Sequence, residues 1–170
     1  MNRRALIIFV ALGSAAVVAC SKKPPEALPP APGGAVESAP VLPATFGNQP
    51  GSQADFVAQM NGQDTIYFDT DQYNVDAVDA AALQAQATWL RQYSQKRATI
   101  EGHADERGTR DYNLALGERR ANAAKNYLAS LGIDATRLSV ISYGKERPAA
   151  LGSDESAWGR NRRAVTVTID

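Results

Sequence analysis

Between residues 102 and 113 the sequence reads "GHADERGTRDYN" and holds the chain's one histidine, three acids and two arginines. Groups of these types so close together can bind a metal, move protons or grip a charged ligand. A zinc site needs about four ligands drawn from His, Cys and carboxylates. His103 is the only imidazole and Cys20 the only thiol, so carboxylates alone would have to complete the set. A calcium loop fares no better. "DTDQYNVDAVDA", residues 69–80, has Asn74 where the sharp turn needs Gly and Ala80 where a bidentate Glu belongs. The sequence therefore predicts no metal and no cofactor.

Proton transfer is the next possibility. Asp105 and Glu106 are adjacent, so on an extended segment their side chains point to opposite sides. Arg107, Arg110, Arg119 and Arg120 crowd the same region. Nearby cations favour the ionised carboxylate and lower its pKa, the wrong direction for a general acid. No Ser-His-Asp or Cys-His pairing is evident. The sequence predicts no catalytic residue.

Recognition of a charged ligand remains. Asp105 follows a predicted strand, where a loop feeds a long helix, a common position for binding groups in sheet proteins. On that helix, at about 100° per residue, Arg120 falls at the edge of the apolar stripe while Arg119 points into solvent. Asn113 shares the edge, about 10 Å away along the axis. A guanidinium on such a seam is partly desolvated and needs an acceptor. That acceptor is Asp105, as a plain structural salt bridge, or a ligand carboxylate, or both in turn; spacing alone leaves these open.

The elements that must position these groups alternate. "TIYF" (65–68) reads as a strand, and residues 76–93 as a helix with Ala80, Leu83, Ala87 and Leu90 at helical spacing. "ATIEGH" (98–103) is a strand. The helix over 111–132 carries Leu114, Gly117, Ala121, Ala124, Leu128 and Leu131 on one stripe, with Gly132 placed to end it. "LSVISYG" (138–144) and "AVTVTID" (164–170) are strands, with a short helix expected in "DESAWGRNRR". This β-α-β-α-β-β order predicts an α+β domain over residues 54–170, its helices packed on a mixed sheet. Tyr67, Phe68 and Tyr143 read as core or pocket-wall residues, and His103 as a satisfied structural histidine.

The N-terminal third is different in kind. Arg3 and Arg4 precede an apolar run from Ala5 to Ala19, shorter than the roughly 20 residues a membrane span needs and of signal-peptide length. Residues 1–19 are therefore expected to be a signal peptide. Cys20, with no thiol to pair with, follows "VVA", which resembles the bacterial lipobox; the resemblance implies cleavage before Cys20 and its acylation. In Gram-negative lipoproteins a Ser after the cysteine, as Ser21 is here, favours sorting to the outer membrane, so the same resemblance implies that destination. Eight of the nine prolines lie before residue 51, so residues 20–53 are expected to form an acylated, Pro-rich linker. Extended at ~3.1 Å per residue, it reaches about 90 Å. The formal charge is zero, and losing Arg3 and Arg4 leaves about minus two, which excludes the basic footprint of a nucleic-acid binder.

Taken in order, "EGHADERGTRDYNLALGERRANAAKNYL", "SYGKERPAALG" and "NRRAV" resemble the peptidoglycan-associated lipoproteins of Gram-negative bacteria and, more broadly, the OmpA-like peptidoglycan-binding domain. The match covers about residues 60 to 170 and includes the lipobox; Arg110 departs from a proline common in relatives, and Asp111 from a frequent Glu. The resemblance implies a ligand, the diaminopimelate of the peptidoglycan stem peptide, whose side chain ends in an ammonium and a carboxylate on one carbon. It implies that Asp105 accepts from the ammonium, that Arg120 clamps the carboxylate, and that Asn113, Asp71 and Arg162 complete the pocket. Arg163 is the alternative to Arg162, since alternation sends only one of them inward. It also implies a lipid-anchored protein of the outer membrane, facing the periplasm and binding TolB of the Tol system. A structural anchor outside that system and a wall-processing enzyme are the rival readings.

Overall fold

Helix formation begins at Ser52, whose hydroxyl accepts from the Asp55 N–H at 3.1 Å. The computed structural model of the protein describes residues 49–169; the expected leader, Cys20 and most of the Pro-rich segment lie outside the described residues. Helix α1 (Gln53–Met60) was not expected from the sequence, and it ends where Asn61 adopts a left-handed conformation. It is held by tertiary contact. Phe56 meets Trp89 edge-on at 5.0 Å, and the Asp55 carboxylate accepts from Gly51 N–H and the Trp89 indole.

Strand β1 (Thr65–Tyr67) is followed by α2 (Ala77–Gln92), capped by Asp76, and by β2 (Arg97–His103). Helix α3 (Arg110–Ser130) is capped by Thr109 and followed by a 3-10 turn (Ala135–Arg137) and β3 (Leu138–Gly144). A short α4 (Glu155–Asn161) precedes β4 (Arg163–Ile169). The strand order is β1-β4-β2-β3, with β2 and β3 parallel and β4 antiparallel to both its neighbours. The architecture is the expected α+β one, a mixed sheet under helices.

The core lies between one face of this sheet and the helices. Ile66, Ala98, Ile100, Leu138 and Ala164 meet Leu83, Ala87, Leu90, Ala121, Ala124 and Leu128 there. Of the predicted α3 stripe, Gly117, Ala121, Ala124 and Leu128 are buried; Leu114 and Leu131 are only partly so. Gly102 on β2 and Gly117 on α3 are both needed for close approach: a methyl at Gly102 would overlap the Gly117 carbonyl, and one at Gly117 would crowd the Ser142 hydroxyl and the Gly102 carbonyl. Gly132, with φ +90°, ends the helix: its N–H bonds Ala129 O at 2.9 Å and the Ile133 N–H bonds Leu128 O at 3.2 Å.

The topology decides where function can sit. Strands β1 and β2 both run against β4, so they point the same way, as does β3. Their C-terminal ends, and the start of β4, all lie at one edge of the sheet. The loops after β1 and β2, the start of α3 and residue 162 must therefore meet there. A bulge at Gly102/His103 sets His103 opposite Gly144, and the Ala104 N–H bonds Gly144 O at 2.8 Å, redirecting the chain into the Asp105 loop.

Candidate functional site

A cavity of about 260 Å³ opens at that edge, lined by Asp71, Asp105, Arg107, Tyr112, Asn113 and Arg120 among others. Four of the five residues expected from the sequence, Asp71, Asp105, Asn113 and Arg120, line it together. Arg162, the fifth, stands behind Asp105.

Arg120 is 0% exposed. Its guanidinium donates to three carbonyls: Nε to Gln72 at 2.9 Å, and the terminal nitrogens to His103 at 2.9 Å and Asp69 at 3.1 Å. It lies 5.3 Å from the Phe68 ring centre. Burial pushes its pKa down to about 10 while Asp105 pulls it up, so it stays a cation at neutral pH. Of the acceptors that spacing left open for Arg120, Asp105 is not taken: that carboxylate pairs with Arg107 and Arg162. Backbone oxygens hold Arg120 instead, tying the loop after β1 to the end of β2. A guanidinium has five N–H groups. Three are spent on the carbonyls, which leaves two without an acceptor among the described residues.

Asp105 is 7% exposed and is gripped by Arg107, with Nε at 3.1 Å from one oxygen and a terminal nitrogen at 2.6 Å from the other. Arg162 approaches the same carboxylate at 3.6 Å. Burial opposes ionisation of Asp105, but the Arg107 hydrogen bonds and charge and the Arg162 charge outweigh it, so its pKa lies below the ordinary value. Arg107 itself lies 4.2 Å from the Trp158 ring centre, and the Trp158 indole donates to Glu106. From the sequence Arg107 is only a neighbouring charge; its position two residues after Asp105, across a tight turn, is the signal that it folds back.

The remaining members are placed by the same loops. Asp71 has φ +57° and accepts from the Tyr112 hydroxyl at 3.3 Å. The buried Asn113 amide donates to Arg107 O at 2.7 Å, fixing the Asp105 loop to the first turn of α3. Lys145, just after β3, holds the same loop through Glu106 O and Gly108 O. Arg162 is buried, donating to Phe68 O at 2.9 Å and to Glu155 at 2.6 Å. Arg163 turns to the other side of the sheet, where it reaches Arg147 O. The register left open by the sequence is thereby resolved: Arg162 is the one beside Asp105. Arg119, as expected, is exposed, and it reaches toward Tyr73. Tyr67 is half exposed and lines the wall of a neighbouring depression rather than the core.

His103 contributes its carbonyl to the site and not its ring. The imidazole is buried on the far face against Tyr143, and neither ring nitrogen has a hydrogen-bond partner among the described residues. It is structural, but not satisfied in the way the sequence suggested. Burial first, then the charges of Arg163 and Arg147, lower its pKa to about 4; Glu101, 3.8 Å away, is the acid that faces it. Between pH 6.5 and about 4 the unfolded chain thus binds a proton at this residue that the native state refuses. Stability should fall on acidification through that window, by up to about 1.4 kcal/mol per pH unit from this one group. Urea melts across that range, with His103→Gln removing about one proton from the linkage, check it; an unchanged slope in the variant would place the effect elsewhere.

A small cavity lined by two acids and two guanidiniums thus lies at one edge of an α+β sheet. The chain belongs to the OmpA family, whose model matches residues 67–162. It is 56% identical over 118 residues to the peptidoglycan-associated lipoprotein of Agrobacterium fabrum, a match covering 69% of this chain and 66% of that protein. It is 42% identical to the protein of the same name from Haemophilus influenzae, over 97% of this chain and 98% of the relative. Among solved structures, the peptidoglycan-associated lipoprotein from Burkholderia pseudomallei superposes with a TM-score of 0.60 at 45% identity, covering 62% of this chain and 89% of that one. The C-terminal domain of Helicobacter pylori MotB, at 17% identity and a TM-score of 0.58, shares the fold.

Proposed function

We propose that the domain binds peptidoglycan without cutting it, by gripping the side-chain end of diaminopimelate. The observation that carries this reading is the cavity itself, where Asp71, Asp105 and the buried Arg120 line one space of about 260 Å³. That is below the usual range for whole small molecules, about 300–1,000 Å³, and suits the tip of one residue. The tip's ammonium goes to the Asp105 and Asp71 side, and its carboxylate to the two N–H groups Arg120 has left. The protein is not an enzyme: its relatives are named for association with the wall. Its pocket acid Asp105 is also held ionised by arginines, the wrong state for a general acid. Isothermal titration with L-alanyl-γ-D-glutamyl-diaminopimelate tests the reading; binding unaffected by amidating the terminal carboxylate would sink it.

The same reading gives the whole chain its place. Acylated at Cys20 and joined by the Pro-rich linker, the domain holds the outer membrane to the wall from its periplasmic side. TolB is the partner that the resemblance supplies, and a direct pull-down with TolB separates a Tol component from a plain anchor. Several acyl chains on one residue hold firmly, each buried methylene adding roughly 0.8 kcal/mol. Cys20→Ser is therefore expected to release the protein from membranes and abolish incorporation of labelled fatty acid, with wall binding by the domain unchanged. Retention of that variant in the membrane fraction would remove the anchor.

A further inference from the structure

About a quarter turn around α3 from the cavity residues runs a second and shallower depression of about 580 Å³, lined by Tyr73, Ala115, Arg119, Asn122, Ala123 and Asn126 among others. Its lining adjoins that of the first along the chain. Tyr73 directly follows Gln72, whose carbonyl accepts from Arg120, and Ala115 and Arg119 adjoin the pocket residues Leu116 and Arg120. We propose that this groove is a subsite for the glycan strand that carries the stem peptide, a proposal that rests on the diaminopimelate reading above.

The chemistry of the groove fits a sugar. Tyr73 leaves about half of its surface open, with the Arg119 guanidinium 6.0 Å from its ring centre. An exposed ring flanked by a planar donor can stack against the C–H face of a pyranose and donate to its hydroxyls. Asn122 and Asn126 sit one turn apart on the same side of α3, and asparagine is a poor helix former that a purely structural surface would not favour. The Asn122 amide nitrogen bonds back to Glu118 O at 3.0 Å, so its carbonyl oxygen remains as an acceptor. Ala115 and Ala123 supply the concavity by being small. The lining includes no Leu, Ile, Val, Met or Phe, so an apolar peptide face has little to bury there.

Distance fits as well. At ~1.5 Å per residue, Asn122 and Asn126 lie about 14 and 20 Å along the helix from Asn113 at the cavity. Three stem residues and the lactyl link that joins them to the strand reach about 10–14 Å when extended. With diaminopimelate in the cavity, the first sugar arrives at Tyr73, Arg119 and Asn122, and the next lies toward Asn126.

Titration of the purified full-length protein in detergent with two ligands tests this: the sugar-free tripeptide and the same tripeptide on its disaccharide. The wild type is expected to bind the disaccharide form about 5- to 20-fold tighter, the yield of one or two net hydrogen bonds. Tyr73→Ala and Asn126→Ala together should bring that ratio to within about twofold of unity while the tripeptide affinity stays put. Equal affinity of the wild type for both ligands overturns the groove and leaves the cavity standing. So does a sugar advantage that survives the double variant. If the tripeptide does not bind the wild type, the cavity reading fails first and the groove falls with it.

Discussion

Asp105→Ala is expected to weaken binding of the diaminopimelate tripeptide by roughly 30-fold to several thousand-fold, with the fold intact. Removing one partner of a desolvated charge pair typically costs about 2–5 kcal/mol or more. The fold should survive because the other groups keep partners. Arg162 retains Phe68 O and Glu155, and Arg107 retains the Trp158 ring. Asp105→Asn sharpens the test, since it keeps the shape and loses the charge: affinity should fall nearly as far as in the alanine variant. The pH dependence follows from the lowered pKa of Asp105. A depressed carboxyl contributes above its unfolded value, about 3.9, and its contribution is lost as pH falls through the still lower folded value. Binding should therefore be flat from neutral pH to about 5 as far as this residue is concerned. Calorimetry at both pH values checks the charge; an Asp105→Asn variant binding as well as wild type would show that the carboxylate serves only to hold Arg107.

How far the sequence anticipates this site depends on what kind of contact each residue makes. The long α3 is legible because its small and apolar residues repeat at helical spacing, and Arg120 and Asn113 are legible because the same geometry puts them on its edge. The direction of β1, β2 and β3 is not written in any one segment; it emerges from pairing, and only then do Asp71, Asp105 and Arg162 converge. Helix α1 escaped because eight residues give little periodicity, and its sequence adjoins a proline-rich stretch. What stabilises it is distant: Phe56 against Trp89, and the Gln53 side-chain oxygen accepting from Thr168 N–H and hydroxyl at 2.6 Å. The pairing of charges was the least legible of all. An Arg on a seam beside an Asp invites a salt bridge, yet three carbonyls surround Arg120 and the nearer Arg107 takes the Asp. Backbone acceptors leave no trace in residue types.

That difference changes what a substitution of Arg120 must do. Arg120→Ala would strip three carbonyls of their donor and open a hole in a site that is 0% exposed. Such a loss typically costs about 3–5 kcal/mol, and for a domain of this size it should lower Tm by roughly 10–20 °C. Loss of wall binding by that variant would then say little about the ligand. Arg120→Lys separates the two roles: an ammonium keeps the charge but cannot span three carbonyls and a carboxylate at once. It is expected to remain folded at low temperature with a reduced Tm. The decisive quantity is the ratio of affinities for the acid and the amide of the diaminopimelate tip. In the wild type that ratio should be about 30 or more, as for a charged hydrogen bond in a desolvated site, and in Arg120→Lys it should shrink several-fold. If both proteins discriminate equally, Arg120 is a structural clamp for the two loops alone. The carboxylate must then be read by Arg107, the other guanidinium in the cavity wall, turning away from Asp105 as the ligand's ammonium replaces it.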